Sequence, residues 1–327
     1  MLRIGSTAVR AFLGVAAALG IATGVIAAHN PANTQSGAQS AWRNSIAHLP
    51  VPHQGCFTAA YPAKTWSEVA CVVAPDTPYI PGHNLRGWFA GVGAGAGIDY
   101  TAVSAGLTSA AVGSFPTVTG VTTETGKRKK PNSYSIQLNS QYFASPTCSG
   151  AAIPAKCQGW QQFIYSNTGK AFLEYWLINY SAICPVGWKP LGPDCYLTGA
   201  AVQVPTQAIA QLAFLGLSGQ AVAGGIDTLT FTTATNAYST TGQDSVVGLA
   251  GFWKGSEYNV VGDGSGANAV FNTGSNVTVK IALTDGSTVA PVCAGDTGST
   301  SETNNLKVGA CKATSGTPPS VSFTESR

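Results

Sequence analysis

The sequence predicts an all-β protein, a disulfide-bonded antiparallel β-sandwich. Three observations carry that prediction. The 327-residue chain is 44% hydrophobic and 9% aromatic, enough for a real core, yet only 9% of its residues are charged. With Gly, Ser, Thr, Asn and Gln abundant, this is the composition of many extracellular β-proteins. Apolar residues recur at every second position in several segments, the period of a strand with one face buried. Eight cysteines occur without a Cys-x-x-Cys knuckle or histidine partners, which points to disulfides in an oxidising compartment and not to a metal site.

From the amino terminus, "MLRIGSTAVRAFLGVAAALGIATGVIAAHN" sets Arg3 and Arg10 ahead of an apolar stretch from Ala11 to Ala28 that ends in small residues. That is the layout of a secretory signal peptide, residues 1–28. Because the stretch is mostly Ala and Gly, cleavage near Ala28 is expected ahead of an uncleaved anchor. The mature chain is expected to be secreted or periplasmic, off the membrane, and monomeric. Residues 29–95 read as a pro-segment or irregular lead-in: "HLPVPHQGCF", "YPAKTW" and "APDTPYIPGHNLRGW" carry prolines at a density that disfavours regular helix and central strand. The run "GVGAGAG" reads as its flexible boundary.

Residues 96–327 form the predicted sandwich. "SYSIQLNSQYF" alternates Tyr134, Ile136 and Leu138 with polar neighbours. "WQQFIYS" and "AFLEYWLINY", joined by the turn-like "NTGK", predict a hairpin. "DTLTFTTATNAYS" and "NVTVKIALTDGSTVAP" repeat the strand texture. "TQAIAQLAFLGLSGQAVAGG" is the one candidate helix, weakened by its glycines. Short strands with little helix point to a sandwich. The cysteines fall as local pairs, Cys56 and Cys71, Cys148 and Cys157, Cys184 and Cys195, Cys293 and Cys311, and nearest-neighbour pairing is the connectivity their spacing suggests.

Several function classes are disfavoured. Net charge is +3, and the basic run Lys127-Arg128-Lys129-Lys130 stands alone, so it reads as a solvated loop and no nucleic-acid partner is expected. The four histidines, His29, His48, His53 and His83, all precede the strand-rich region. A Ser-His-Asp or Cys-His catalyst, or a His-ligated zinc, would have to borrow a group from the lead-in, and neither metal nor cofactor is expected. Chemistry then falls to carboxylates, amides and hydroxyls, which suit an acid-acting hydrolase. Asp296-Thr297-Gly298 matches the aspartic-peptidase tripeptide but occurs once, in a polar stretch, and reads as a turn. A glycosidase needs two carboxylates about 5 to 10 Å apart. Glu257 and Asp263 are too far apart along one strand, leaving Glu174 as the possible second acid.

The segment "SEYNVVGDGSGANAVFNTGSNVTVKIA" resembles the strand, turn and strand that carry the catalytic glutamate of the glutamic peptidases, or eqolisins. "GWQQFIYSNTGKAFLEYWLINY" is similar to that family's glutamine-bearing strand and the aromatic, acid-containing strand after it, and "DYTAVSAGLTSAAVGSFPTVTGV" to its opening strands. The order agrees over residues 99–281, as in a divergent, bacterial-type secreted member. Tyr258 follows the glutamate where the family has tryptophan. The resemblance implies a concanavalin-like jelly roll of two curved sheets with a catalytic Gln and Glu side by side on the concave face. The Glu acts on water as general base, and the Gln amide holds that water and the oxyanion.

Carried over, Glu257 takes the glutamate role. Gln161 and Gln162 are adjacent and point to opposite faces of their strand. If Trp160 and Ile164 pack into the core, Gln162 goes with them and Gln161 faces the cleft beside Tyr165; the opposite register selects Gln162. We take Gln161 first. Glu174, Trp176 and Tyr165 are candidates to line the substrate site. The expected activity is endopeptidase action on a polypeptide in acid; the alternative is a non-catalytic module binding carbohydrate or another surface on the same sandwich. A peptidase should bring the Glu257 carboxylate within about 3 to 5 Å of a Gln161 or Gln162 amide, which a binding module does not need.

Overall fold

A computed structural model of the protein describes residues 37–82 and 99–327. The expected signal peptide, the glycine-rich boundary, His29 and His83 lie outside the described residues. One helix, α1 (Gly37–Ile46), precedes β1 (Cys56–Ala60), β2 (Ser67–Val69), β3 (Asp99–Val103), β4 (Ala110–Thr119), β5 (Glu124–Thr125), β6 (Tyr134–Ser140), β7 (Gln158–Ser166), β8 (Lys170–Ile178), β9 (Lys189–Leu191) and β10 (Asp194–Gln203). There follow β11 (Gly216–Gln220), β12 (Ile226–Thr232), β13 (Asn236–Gln243), β14 (Gly255–Gly262), β15 (Asn268–Phe271), β16 (Asn276–Thr284), β17 (Val292–Thr297), β18 (Thr303–Asn304), β19 (Lys307–Thr314) and β20 (Ser320–Ser326).

Two large antiparallel sheets pack as a sandwich. One runs β19-β20-β16-β4-β11-β12-β13-β1-β2, the other β17-β3-β14-β6-β7-β8-β10-β9. Between them, Phe163 stacks on Trp253 with ring centroids 5.6 Å apart, Tyr165 on Phe231 at 3.9 Å, and Tyr258 packs on Phe115 at 4.9 Å. Because side chains alternate along a strand, these contacts decide which residues of β7 and β14 face the other sheet: Gln161, Phe163 and Tyr165, and Tyr258. Their neighbours Gln162 and Glu257 face away from it.

The packing leaves no room for extra atoms at Gly113, whose added Cβ would lie 2.1 Å from the Tyr258 ring. Gly113→Ala should therefore lower stability by about 1–3 kcal/mol through overpacking, read as a fall in the chemical-denaturation midpoint with an unchanged slope.

Several expectations are met and some are corrected. The hairpin forms, with Ser166 paired to Lys170 and Gly169 at φ +96° in its turn. All four local cysteine pairs are bonded: Cys56–Cys71, Cys148–Cys157, Cys184–Cys195 and Cys293–Cys311. Four disulfides fit an oxidising compartment, and among the described residues no helix is long and apolar enough to cross a membrane. The candidate helix is instead a 3-10 turn, Ile209–Phe214, followed by β11. Its Gly219 lies directly against the Phe163 ring, where an added Cβ would sit 2.6 Å away, a close approach that a glycine strand permits. Asp296 and Thr297 end β17 in place of forming a turn.

The segment read as an irregular lead-in is partly regular. β1 pairs with β13 and β2 with β1, so residues before 95 extend the larger sheet, and α1 buries Trp42 and Ile46 against Ala59 and Ala237. Residues 72–82, beyond β2, take a different path across the other sheet.

Candidate active site

Register places the site. Glu257 of β14 is paired with Asn139 of β6, Asn139 with Gln162 of β7, Gln162 with Glu174 of β8, and Glu174 with Thr198 of β10. Directly paired residues share a face, so these five side chains form one row across the sheet, on the side turned away from the sandwich interior. All but Thr198 are buried, Glu257 at 2% exposure and Glu174 and Gln162 at 0%. Glu257 is therefore no surface charge.

The Glu257 carboxylate accepts from the Thr101 hydroxyl at 2.8 Å through Oε1, and from the Ser299 amide at 2.6 Å and hydroxyl at 2.5 Å through Oε2. Burial pushes its pKa up, opposed by these three donors. Ser299 belongs to a segment, residues 299–302, laid over this face: the Tyr142 hydroxyl and the Trp160 indole donate to Ser299, at 2.5 and 3.1 Å. The amides form a chain of their own. Gln137 Oε1 accepts from Asn139 Nδ2 and from Gln162 Nε2, each at 3.2 Å. Gln162 Oε1 and Glu174 Oε1 share the Trp176 indole N–H, at 3.1 and 3.0 Å. Burial pushes Glu174 up to about 8.

The register thus selects Gln162 and overturns our first choice. Gln161 faces the sandwich interior and donates to Asp227 of β12 at 2.9 Å. Tyr165, expected to line the cleft, is stacked on Phe231 in the interior. Trp160 and Ile164 misdirected the sequence argument because both faces of this sheet are covered, so a large apolar side chain does not mark the interior. Trp176 and Glu174 are on the Glu257 side. The direct contact expected of a peptidase dyad is not made in this state: Glu257 and Gln162 are two strands apart, roughly 10 Å at the backbone, with Asn139 between them. Asn139 Oδ1 is buried and accepts no hydrogen bond among the described residues. Glu257 and Glu174, three strands apart at roughly 14 Å, do not form the closer pair of a glycosidase.

Comparison with known protein families, with curated proteins and with solved structures finds no match for the chain. The reading of the site therefore rests on its residues.

Sequence reasoning missed Asn139, Gln137, Thr101 and Ser299. The alternation of "SYSIQLNSQYF" marks one polar face, which reads as solvent-facing; it is buried, with Gln137 at 1% and Asn139 at 3% exposure. The available signal was chemical: the polar positions of β6 are Ser, Gln and Asn with no charged residue. Chemically, the row offers a carboxylate able to take a proton and amides able to donate to an oxyanion. The Ser299 hydroxyl now occupies Glu257 Oε2, where a nucleophilic water would have to sit.

Proposed function

We propose that the protein is a secreted, acid-acting endopeptidase of the glutamic type, held here in a covered state. The observation that carries this reading is that Glu257 and Gln162 project from one cross-strand row on one face of one sheet. Glu257 takes a proton from water as that water attacks the peptide carbonyl. Gln162, with Asn139 beside it, donates to the tetrahedral oxyanion. The raised pKa of Glu257 belongs to the covered state. When residues 299–302 lift, solvent reaches the carboxylate, the desolvation that raises its pKa is relieved, and it returns toward the ordinary range in which it is an effective base in mild acid.

Trp160 and Trp176, the large aromatics nearest the row, are buried. They are covered in the same way as the row itself, so the choice between peptidase and carbohydrate-binding module rests on the carboxylate and amide chemistry of the row. The test is hydrolysis of a denatured protein from pH 2 to pH 7 by wild type and by Glu257→Gln. Acid-range cleavage that falls by ~10²–10⁴-fold in a folded Glu257→Gln supports the reading. Undiminished cleavage by that variant would sink it.

A further inference from the structure

Residues 72–82, "VVAPDTPYIPG", lie across the same outer face as a strap. At one end Val72 exchanges two backbone hydrogen bonds with Ala201 of β10, at 2.8 and 2.9 Å. At the other, the Gly82 amide donates to the Ser299 carbonyl and the Ser301 amide to the Ile80 carbonyl, both at 2.8 Å. Between these pins the strap's backbone is held by groups of the body. The Tyr79 amide donates to Glu174 Oε1 at 2.8 Å and the Ile80 amide to Glu302 Oε1 at 3.2 Å. The Pro78 carbonyl accepts from the Ser265 amide at 2.8 Å, and the Val73 carbonyl from Lys170 at 2.6 Å. These contacts do not depend on the strap's side chains, which is how a protein recognises an extended peptide: main-chain bonds supply affinity and side-chain pockets supply selection.

One strap side chain is selected in this way. Tyr79 is 1% exposed, whereas Val73, Asp76 and Thr77 face solvent. Its ring packs with Ile164, Phe172 and Ala201, with a centroid distance of 5.8 Å to Phe172, and its hydroxyl donates to Asp263 Oδ1 at 2.5 Å. The pocket is apolar along its walls with one carboxylate acceptor at its end. A phenylalanine would fill the walls and leave Asp263 with Ser166 but without the tyrosine hydroxyl; a smaller residue would leave the walls unfilled. A cavity of about 460 Å³ continues beside the strap between Val72–Asp76 and Leu197–Ala200, leading on from the Thr198 end of the polar row.

We infer that this face is a binding groove for extended peptides with a pocket selective for a tyrosine side chain, and that residues 72–82 occupy it as an internal ligand. The inference rests on the peptidase reading only in that it names that site's substrate class: unfolded polypeptide presenting tyrosine next to the Glu174 end of the row.

The test uses the full chain with its disulfides intact. Tyr79→Ala empties the pocket, and the probe is a fluorescent synthetic peptide VVAPDTPYIPG, together with versions carrying Phe or Ala in place of its tyrosine. The tyrosine peptide should bind Tyr79→Ala roughly 10-fold or more tightly than the phenylalanine peptide, and the alanine peptide weaker still. Wild type should bind the tyrosine peptide at least ~100-fold more weakly than Tyr79→Ala, because the tethered strap competes at a high effective concentration. Adding Asp263→Ala to Tyr79→Ala should reduce the preference for Tyr over Phe, leaving only the contribution of Ser166. If Tyr79→Ala does not fold, Tyr79→Phe tests the same pocket by competition: its strap keeps the ring but loses the hydroxyl on Asp263, so it should bind the tyrosine peptide more tightly than wild type does, and equal binding would overturn the inference. Equal binding of the three peptides, or none to a folded variant, would overturn the inference. Selective binding without cleavage would support the groove and count against the peptidase reading. Acid cleavage of denatured protein with no preference for tyrosine would do the reverse.

Discussion

Thermal stability should be highest near pH 4 and fall as the pH rises to 8, with a melting temperature at pH 8 lower by on the order of 10 °C. The cause is a set of buried carboxylates whose described partners are uncharged: amides, hydroxyls and, for Glu174, the Trp176 indole. Burial raises Glu174 and Glu325 to about 8 and Asp227 to about 7, and raises Glu257, Asp99 and Glu302 as well. Between the ordinary carboxylate range and pH 8 the folded protein binds more protons than the unfolded chain. Its stability therefore declines as pH increases through that window and is fully present below it. Glu174, Glu325 and Asp227 each contribute on the order of a few kcal/mol across the window, and Glu124, also raised to about 7 by burial, acts in the same direction. Asp76 and Asp285 are shifted the other way, but both are near the surface, where solvent screens the effect. Glu325, which accepts from Asn259 at 2.8 Å, lies outside the row, so Glu325→Gln should flatten the pH dependence without touching Glu257. Calorimetry at pH 4, 6 and 8 on both proteins checks this; a melting temperature that rises with pH would contradict it.

Substituting the two adjacent glutamines should have opposite consequences. Gln162→Ala removes the amide that faces the row and should cut kcat/KM by ~10²–10³-fold, the usual loss of an oxyanion donor. Gln161→Ala leaves the row intact but strips Asp227 of its buried donor, 2.9 Å away, and should cost about 1–3 kcal/mol of stability with kcat/KM of the folded fraction nearly unchanged. Paired kinetics and denaturation separate the two. A large kinetic loss in Gln161→Ala with none in Gln162→Ala would contradict the register argument.

The sandwich was legible because period-two alternation and local cysteine spacing are written along the chain. The orientation of β7 was not, because Trp160 and Ile164 on one side and Phe163 and Tyr165 on the other are equally apolar, and two covered faces look the same in sequence. Glu257 was legible as a lone acid between aromatics and a glycine-rich turn. What it touches was not: Thr101 is 156 residues away and Ser299 is 42, and such partners are fixed by sheet order. Proline density in residues 72–82 correctly disfavours regular structure there, but it carries no sign that an irregular segment would be held across a sheet by Glu174 and Glu302.

The measurement that tests the central claim most directly is hydrolysis of a denatured protein substrate between pH 2 and pH 7 by Tyr79→Ala, which loosens the strap and with it residues 299–302, to which Ile80 and Gly82 are bonded, and by Tyr79→Ala combined with Glu257→Gln. Cleavage in acid by the first that exceeds wild type, and its loss by ~10²–10⁴-fold in the second while both remain folded, is the predicted result. Equal cleavage by the two variants, or none by a folded Tyr79→Ala, would contradict the claim that the Glu257 row is a peptidase site beneath the strap.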